Sequence, residues 1–276
     1  MTALVSYARA ALPLIPGASR LPFVAGGGSE MPPLERSRID VRVDPAHVAR
    51  YAEVCAFTPG DALPPTYLHV LAFPLHMALM TDGRFPFPAI GLVHLQNRVV
   101  VHRPATAGET FDLHVHATPI APHPKGRTFA LVSEARVGGE LVWEGHSTML
   151  RRGQGSGDGA TVHAPFAVEP QAEWRLAEDL GRRYGAASGD RNPIHLHALT
   201  ARVFGFPRAI AHGMWTKARC LAALQPALPD AFTVDVAFRK PILLPGVVTF
   251  SERDGAFAVR GAKNPDTIHL EGTVSA

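Results

Sequence analysis

The chain of 276 residues is 46% hydrophobic and 18% charged, ordinary values for a globular protein, and long enough for one large domain or two of usual size. A formal net charge of +3, without a dense Lys/Arg run or basic–aromatic alternation, argues against nucleic acid as a partner and leaves room for a phosphate-bearing coenzyme. No apolar run approaches about eighteen residues, which argues against membrane insertion, and the two isolated cysteines, Cys55 and Cys220, suit a reduced, cytoplasmic setting.

Residues 1–37 read as an N-terminal leader. Their apolar stretch around Leu12, Leu14 and Ile15 is broken by Pro13 and Pro16 and follows no basic region, so it fits a surface segment or lid better than a signal peptide. Arg38 to Val43 alternates as a strand does, and Asp44-Pro45 opens a helix through Ala56 with Asp44 as its cap. Four strands follow, at Leu92 to His102, Thr110 to Ala117, Arg127 to Val137 and Glu140 to Leu150, with Gly138-Gly139 as a hairpin turn. The Gly/Ser-rich run from Arg151 to Gly159 marks a linker, taken as residues 151–165.

The most informative stretch runs from Tyr184 to Met214. Ser188-Gly189-Asp190 is a turn signal, and Asn192-Pro193 reads as a helix N-cap followed by proline at the first helical position. His195 then falls in the first helical turn with Asp190 on the loop before it, where a carboxylate and an imidazole can share a water. The helix start favours a neutral imidazole and the nearby carboxylate favours a charged one, so the balance is open at this level. Gly213 begins a second helix whose apolar Met214, Ala218, Leu221 and Leu224 recur at helical spacing. Its N–H can receive a thioester carbonyl as that oxygen becomes an oxyanion, and glycine permits close approach. His212, on the substrate side of that start, either orients the loop through a backbone hydrogen bond or is a satisfied buried histidine; Tyr184 is a core or wall residue.

Beyond this helix come strands at Phe232 to Arg239, Val247 to Arg253, Phe257 to Gly261 and Ile268 to Val274. Arg239 and Lys240, with Arg98 and Arg103 in comparable places of the first half, can meet coenzyme phosphates through charge-assisted bonds or can be solvated strand-end charges. The other histidines, His94, His102, His114, His116 and His123, complete no metal site with Asp, Glu or Cys, and no Gly-x-Ser-x-Gly turn offers a serine nucleophile.

The ordered run Ser188-Gly189-Asp190, Asn192-Pro193-Ile194-His195, Ala201, Gly205-Phe206 and Ile210-Ala211-His212-Gly213-Met214 resembles the (R)-specific enoyl-CoA hydratase motif of the MaoC-like dehydratases. The resemblance implies an α+β hotdog fold, a long helix wrapped by an antiparallel sheet. It also implies reversible hydration of trans-2-enoyl thioesters to (3R)-hydroxyacyl thioesters in fatty-acid metabolism. Asp190 and His195 would be the catalytic pair, with Asn192 helping to hold the water and the Gly213 N–H in the oxyanion hole. No cofactor is called for, coenzyme A or acyl carrier protein entering only as part of the substrate.

The first half echoes the second. Gly60 to Thr66 can be laid on Gly189 to His195, Ala72-Phe73-Pro74 on Gly205-Phe206-Pro207, and Arg103-Pro104 before Gly108 on Lys240-Pro241 before Gly246. In that register Leu63 replaces Asn192 and Thr66 replaces His195. The expected architecture is a tandem double hotdog, with residues 38–150 lacking the catalytic motif and residues 166–276 carrying it, in the layout of actinobacterial two-hotdog 3-hydroxyacyl-thioester dehydratases. Loss of the first active site would free that half for a longer acyl chain, and a homodimer is compatible with the layout. The competing readings are a non-catalytic acyl-thioester binder and a hotdog thioesterase.

Overall fold

The computed structural model describes residues 28–156 and 169–276. The expected leader therefore lies outside the described residues up to position 27, and the expected linker does so from position 157. In chain order the first half contains β1 (Glu35–Arg42), α1 (Pro45–Cys55), α2 (Tyr67–Met80), β2 (Leu92–Val101), β3 (Thr110–Ala117), the short β4 (Ala121–His123), β5 (Gly126–Val137) and β6 (Glu140–Arg152). The second half contains β7 (Ala172–Leu176), α3 (Leu180–Ser188), α4 (Pro193–Leu196), α5 (Ala198–Val203), α6 (Gly213–Leu224), β8 (Phe232–Phe238), β9 (Gly246–Arg253), β10 (Ala256–Gly261) and β11 (Ile268–Ser275).

Local chemistry accounts for many of these boundaries. The Asp44 side chain accepts the Ala46 N–H at 2.9 Å and Pro45 follows it, so α1 starts where the sequence places it; Ala56 ends it in the left-handed region. Gly138 and Gly139 turn β5 into β6 with φ of 55° and 88°, the two positive values a tight primed turn requires.

All strands of the described residues join one antiparallel sheet, in the order β1-β3-β5-β6-β2-β8-β11-β10-β9-β7, with β4 on the side of β5. Read outward from the centre, β2-β6-β5-β3-β1 has the same connectivity as β8-β11-β10-β9-β7. The halves meet where β2 pairs with β8, with Val99 opposite Val234 and Asn97 opposite Val236. This is the expected antiparallel α+β architecture, two hotdogs side by side in one sheet. Helix α2 packs on β1, β3 and β5, while α6 contacts β11 and α1. One core spans the seam, including Tyr51, Tyr184, Val99, Val234 and Trp215.

Two links fasten α6 to the first half. The Trp215 indole N–H donates to the Val54 carbonyl at 2.8 Å, at the C-terminal end of α1. The fully buried Lys217 donates to the Asn97 carbonyl, the Asn97 Oδ1 and the Val234 carbonyl at 3.0, 2.7 and 3.2 Å. Burial pulls the Lys217 pKa down, but three oxygen acceptors match the three donors of an ammonium group.

The fold corrects part of the internal register. Ala72-Phe73-Pro74 lies inside α2, whereas Gly205-Phe206-Pro207 lies after α5 and before α6, so these tripeptides are not equivalent. Thr66 sits at the N-cap of α2 as His212 sits at the N-cap of α6, making His212, not His195, its counterpart. Tyr51 bonds Thr66 at 2.8 Å where Tyr184 packs on His212, with ring centroids 4.8 Å apart. The segment from Asp190 to Ala211, with α4 and α5, therefore stands where the first half has only the shorter connection 57–65. Pro74 has no N–H for the Val70 carbonyl, so it marks a breaker in the sequence although surrounding apolar packing keeps α2 helical.

Candidate active site

The site is built on the turn that leaves α3. Gly189 adopts φ of 78° at the helix C-cap, which glycine alone does without strain. Three hydrogen bonds then fold the loop back: Asp190 N–H to Ser188 Oγ at 3.2 Å, Asn192 N–H to Asp190 Oδ1 at 3.1 Å, and Ile194 N–H to Asn192 Oδ1 at 3.4 Å. Asn192 is thus the N-cap the sequence predicts, with its amide NH2 as the group it can still offer. His195 is buried in the single turn of α4.

The ring of His195 is fixed by the segment that returns from α5. Its Nδ1 lies 2.7 Å from the Ile210 carbonyl, and the Ile210 N–H bonds the Ile194 carbonyl at 3.1 Å. A carbonyl only accepts, so Nδ1 carries the proton and a neutral ring has its lone pair on Nε2. Burial moves the His195 pKa below its ordinary value, opposed first by the Asp190 carboxylate and then by the Ile210 carbonyl.

His212 supplies the predicted loop contact. Its Nε2 donates to the Asp190 carbonyl at 3.0 Å and lies 3.9 Å from Asp190 Oδ2. Its ring stacks on His195 with centroids 3.7 Å apart, and its buried Nδ1 has no hydrogen-bond partner. Burial holds its pKa down to about 3. Gly213 is the first residue of α6, where an N–H has no carbonyl of its own helix to bond, and the His212 side chain does not cap it. A Cβ on Gly213 would lie 3.0 Å from ring carbons of Phe238, so glycine is also a packing requirement there.

Asp190, His195 and His212 each present one potential ligand atom within 4.8 Å of the others. The expectation that no metal cluster forms rested on the other histidines and did not consider this group. Its geometry favours a shared water. The two rings are 27° from parallel with centroids 3.7 Å apart, so their in-plane lone pairs do not converge on one point. A span below 4.8 Å between a carboxylate oxygen and an imidazole nitrogen is one that a single water bridges with two bonds of about 2.8 Å.

The pair faces a cavity of about 680 Å³, within the usual range for a small-molecule site. Asp190, Asn192, His195, His212, Gly213, Arg239 and Lys240 all line it, so these seven candidate site residues meet at one place. Arg239 and Lys240 are exposed at its rim, with Arg239 Nε bonding Glu271 at 3.0 Å. Arg98 and Arg103 do not line it. Arg98 pairs with Asp235, and Arg103 with Glu109 and Glu140, so the solvated strand-end reading holds for them.

Two residues that place the pair were not found in the sequence. Gly181 and Gly185 lie one turn apart on α3, and a Cβ on Gly181 would overlap the carbonyl of His195 while one on Gly185 would stand 2.8 Å from the Asp190 carbonyl oxygen. The signal was present as Gly-x-x-x-Gly, the spacing that lets a backbone approach a helix closely.

The cavity thus brings together an imidazole, a carboxylate and a helix-start N–H. The MaoC like domain family matches residues 162–264. The chain is 35% identical over 260 residues to 3-hydroxyacyl-thioester dehydratase X of Mycobacterium tuberculosis, covering 92% of this chain and 89% of that one. It is 27% identical over 233 residues to the enoyl-CoA hydratase ChsH3 of the same organism, covering 76% and 79% of the two chains. The crystal structure of HtdX from Mycobacterium tuberculosis superposes with a TM-score of 0.77 at 34% identity, over 87% of this chain and 99% of that one. The chain belongs to the MaoC-like dehydratase family and is a hydratase/dehydratase.

Proposed function

We propose that the protein interconverts trans-2-enoyl and (3R)-hydroxyacyl thioesters of coenzyme A or acyl carrier protein in fatty-acid metabolism. What supports this reading is the His195 ring, whose Nδ1 is held by the Ile210 carbonyl, with a ligand atom of His195 and a carboxylate oxygen of Asp190 within 4.8 Å of each other.

In hydration, the water oxygen bonds C3 as one of its protons passes to His195 Nε2. The C2–C3 π electrons move toward the thioester carbonyl, whose oxygen gathers negative charge against the Gly213 N–H. Asp190 fixes the water and stabilises the imidazolium. The enolate then re-forms the carbonyl as C2 takes the proton back from the pair, leaving the enzyme as it began. Dehydration is the same path reversed. His212 holds the Asp190 loop, while Asn192 offers its amide to the water. Arg239 and Lys240 at the rim suit the phosphates of the carrier. Water, an acid–base pair and a hydrogen-bond donor suffice for this chemistry, so it calls for no bound cofactor.

Turnover of trans-2-enoyl-CoA in ¹⁸O-labelled water tests the reading. One labelled oxygen at C3 with the thioester intact is expected. Release of free thiol would establish a thioesterase instead, and binding without either product an acyl-thioester binder.

A further inference from the structure

The cavity does not end at Asp190 and His195. It continues into the first half, where Phe73, Met77, Met80 and Leu131 make an apolar wall. His69, His76 and His94 line the same space. An alkyl chain gives an imidazole nothing to bond, and burying such a polar group without a partner is unfavourable. His94, whose Nε2 has no partner, and the two other imidazoles of this acyl pocket therefore call for an explanation.

Their placement is ordered. His69 and His76 are two turns apart on one face of α2, with ring centroids 5.1 Å apart. His76 Nε2 is 2.7 Å from Ser133 Oγ. His94 comes from β2 and packs on Phe238 with centroids 4.8 Å apart; its Nε2 is out of solvent and has no hydrogen-bond partner. His94 is within electrostatic reach of both Asp190 and His76, and His69 of both His76 and His94. The polar strip thus runs from the reaction centre into the first half. Nearby Lys217 is not part of it, because its ammonium is already matched by three oxygens.

We propose that this strip, His94, His69 and His76, is a second recognition site that binds an uncharged hydroxyl or keto oxygen on the acyl chain. The enzyme's preferred substrate is then an oxygenated enoyl thioester, not a plain alkyl one. The inference rests on the hydratase reading for its substrate and adds what the far part of that substrate carries. Neutral imidazoles suit this ligand: each has one donor and one acceptor, as a hydroxyl does, and none has a charge for a carboxylate. Burial keeps them so, holding His69 well below its ordinary pKa, His76 down to about 4 and His94 to about 3.

The test pairs trans-2-enoyl-CoA substrates of equal length, one all-alkyl and one with a hydroxyl or keto group moved stepwise along the chain. kcat/KM is measured with the full-length protein and with His69→Leu, His76→Leu and His69→Gln. Calorimetric binding of the corresponding saturated acyl-CoAs gives a readout without turnover. At one or more positions the oxygenated substrate should be favoured by about tenfold or more, since a site built to bond an oxygen discriminates strongly against its absence. Either leucine variant should collapse that ratio, and His69→Gln should restore part of it. Thermal melts identify any leucine variant that fails to fold, in which case the glutamine variant and Ser133→Ala carry the comparison. Equal ratios at every position, unmoved in the folded variants, would overturn the second site while leaving hydration intact. Discrimination in the binding arm without turnover of any substrate would support the second site and overturn the hydratase reading.

Discussion

Helix α3 is held against the catalytic loop by the absence of side chains at Gly181 and Gly185, and Gly181→Ala measures what that closeness is worth. A methyl group there overlaps the His195 carbonyl oxygen and stands 2.9 Å from its carbonyl carbon. Neither is the end of a flexible side chain; both belong to the residue whose ring must face the water. Relief requires α3 and α4 to part by about 1 Å, and a displacement of that size at reacting groups costs about 100-fold in rate. The intrinsic gain from alanine in a helix, up to about 1 kcal/mol, opposes the strain without restoring the geometry. Gly181→Ala should therefore lower kcat/KM for enoyl-CoA by about 100-fold, and stability by about 1–3 kcal/mol in urea unfolding. Gly60→Ala, where an added Cβ meets nothing within 4 Å, is the control. Wild-type activity and stability in Gly181→Ala would refute the claim that this contact positions His195.

Two further outcomes follow from burial. His69, His76, His94, His195 and His212 all have folded pKa values below the ordinary value of 6.5. The unfolded chain binds more protons below that pH, so stability is full above about 6.5 and is lost as pH falls, each histidine contributing up to about 1.4 kcal/mol per unit until its own folded pKa is reached. The urea midpoint should drop steeply between pH 7.5 and 5, and an unchanged midpoint would mean that these rings are not held neutral. Separately, Trp215→Phe strips the Val54 carbonyl of its indole donor at the end of α1, where no further helical N–H follows. Unfolding free energy should fall by about 1–3 kcal/mol, and a change under about 0.5 would show that the link is dispensable.

Much of this was legible in the residues because strong local signals coincide with their tertiary roles. Thr110–Ala117 is a strand from end to end as read, and Asp44, Asn192 and Gly213 each begin the helix that their chemistry announces. The closeness of Asp190 and His195 was legible for the same reason: the turn and cap that bring them together are local. What sequence could not convey was contact between distant pieces. α2 is mostly apolar, so it shows little helical stripe, and Ala72-Phe73-Pro74 inside it gives no outward sign of being helical. Its likeness to Gly205-Phe206-Pro207 then misled the register. His94 gives no sign in the sequence that it comes within electrostatic reach of Asp190, because the two lie in different halves of the chain. Gly181 and Gly185 show their spacing but not the backbone they admit.

The shared-water mechanism requires Asp190 and His195 to act as one unit on one water. Crotonyl-CoA and a longer trans-2-enoyl-CoA should both give (3R)-hydroxyacyl-CoA by chiral analysis. Asp190→Asn and His195→Gln should each reduce turnover by at least about 100-fold, while the double variant loses little more than either alone. A (3S) product, turnover indifferent to both substitutions in folded protein, or fully additive losses would contradict the shared-water mechanism.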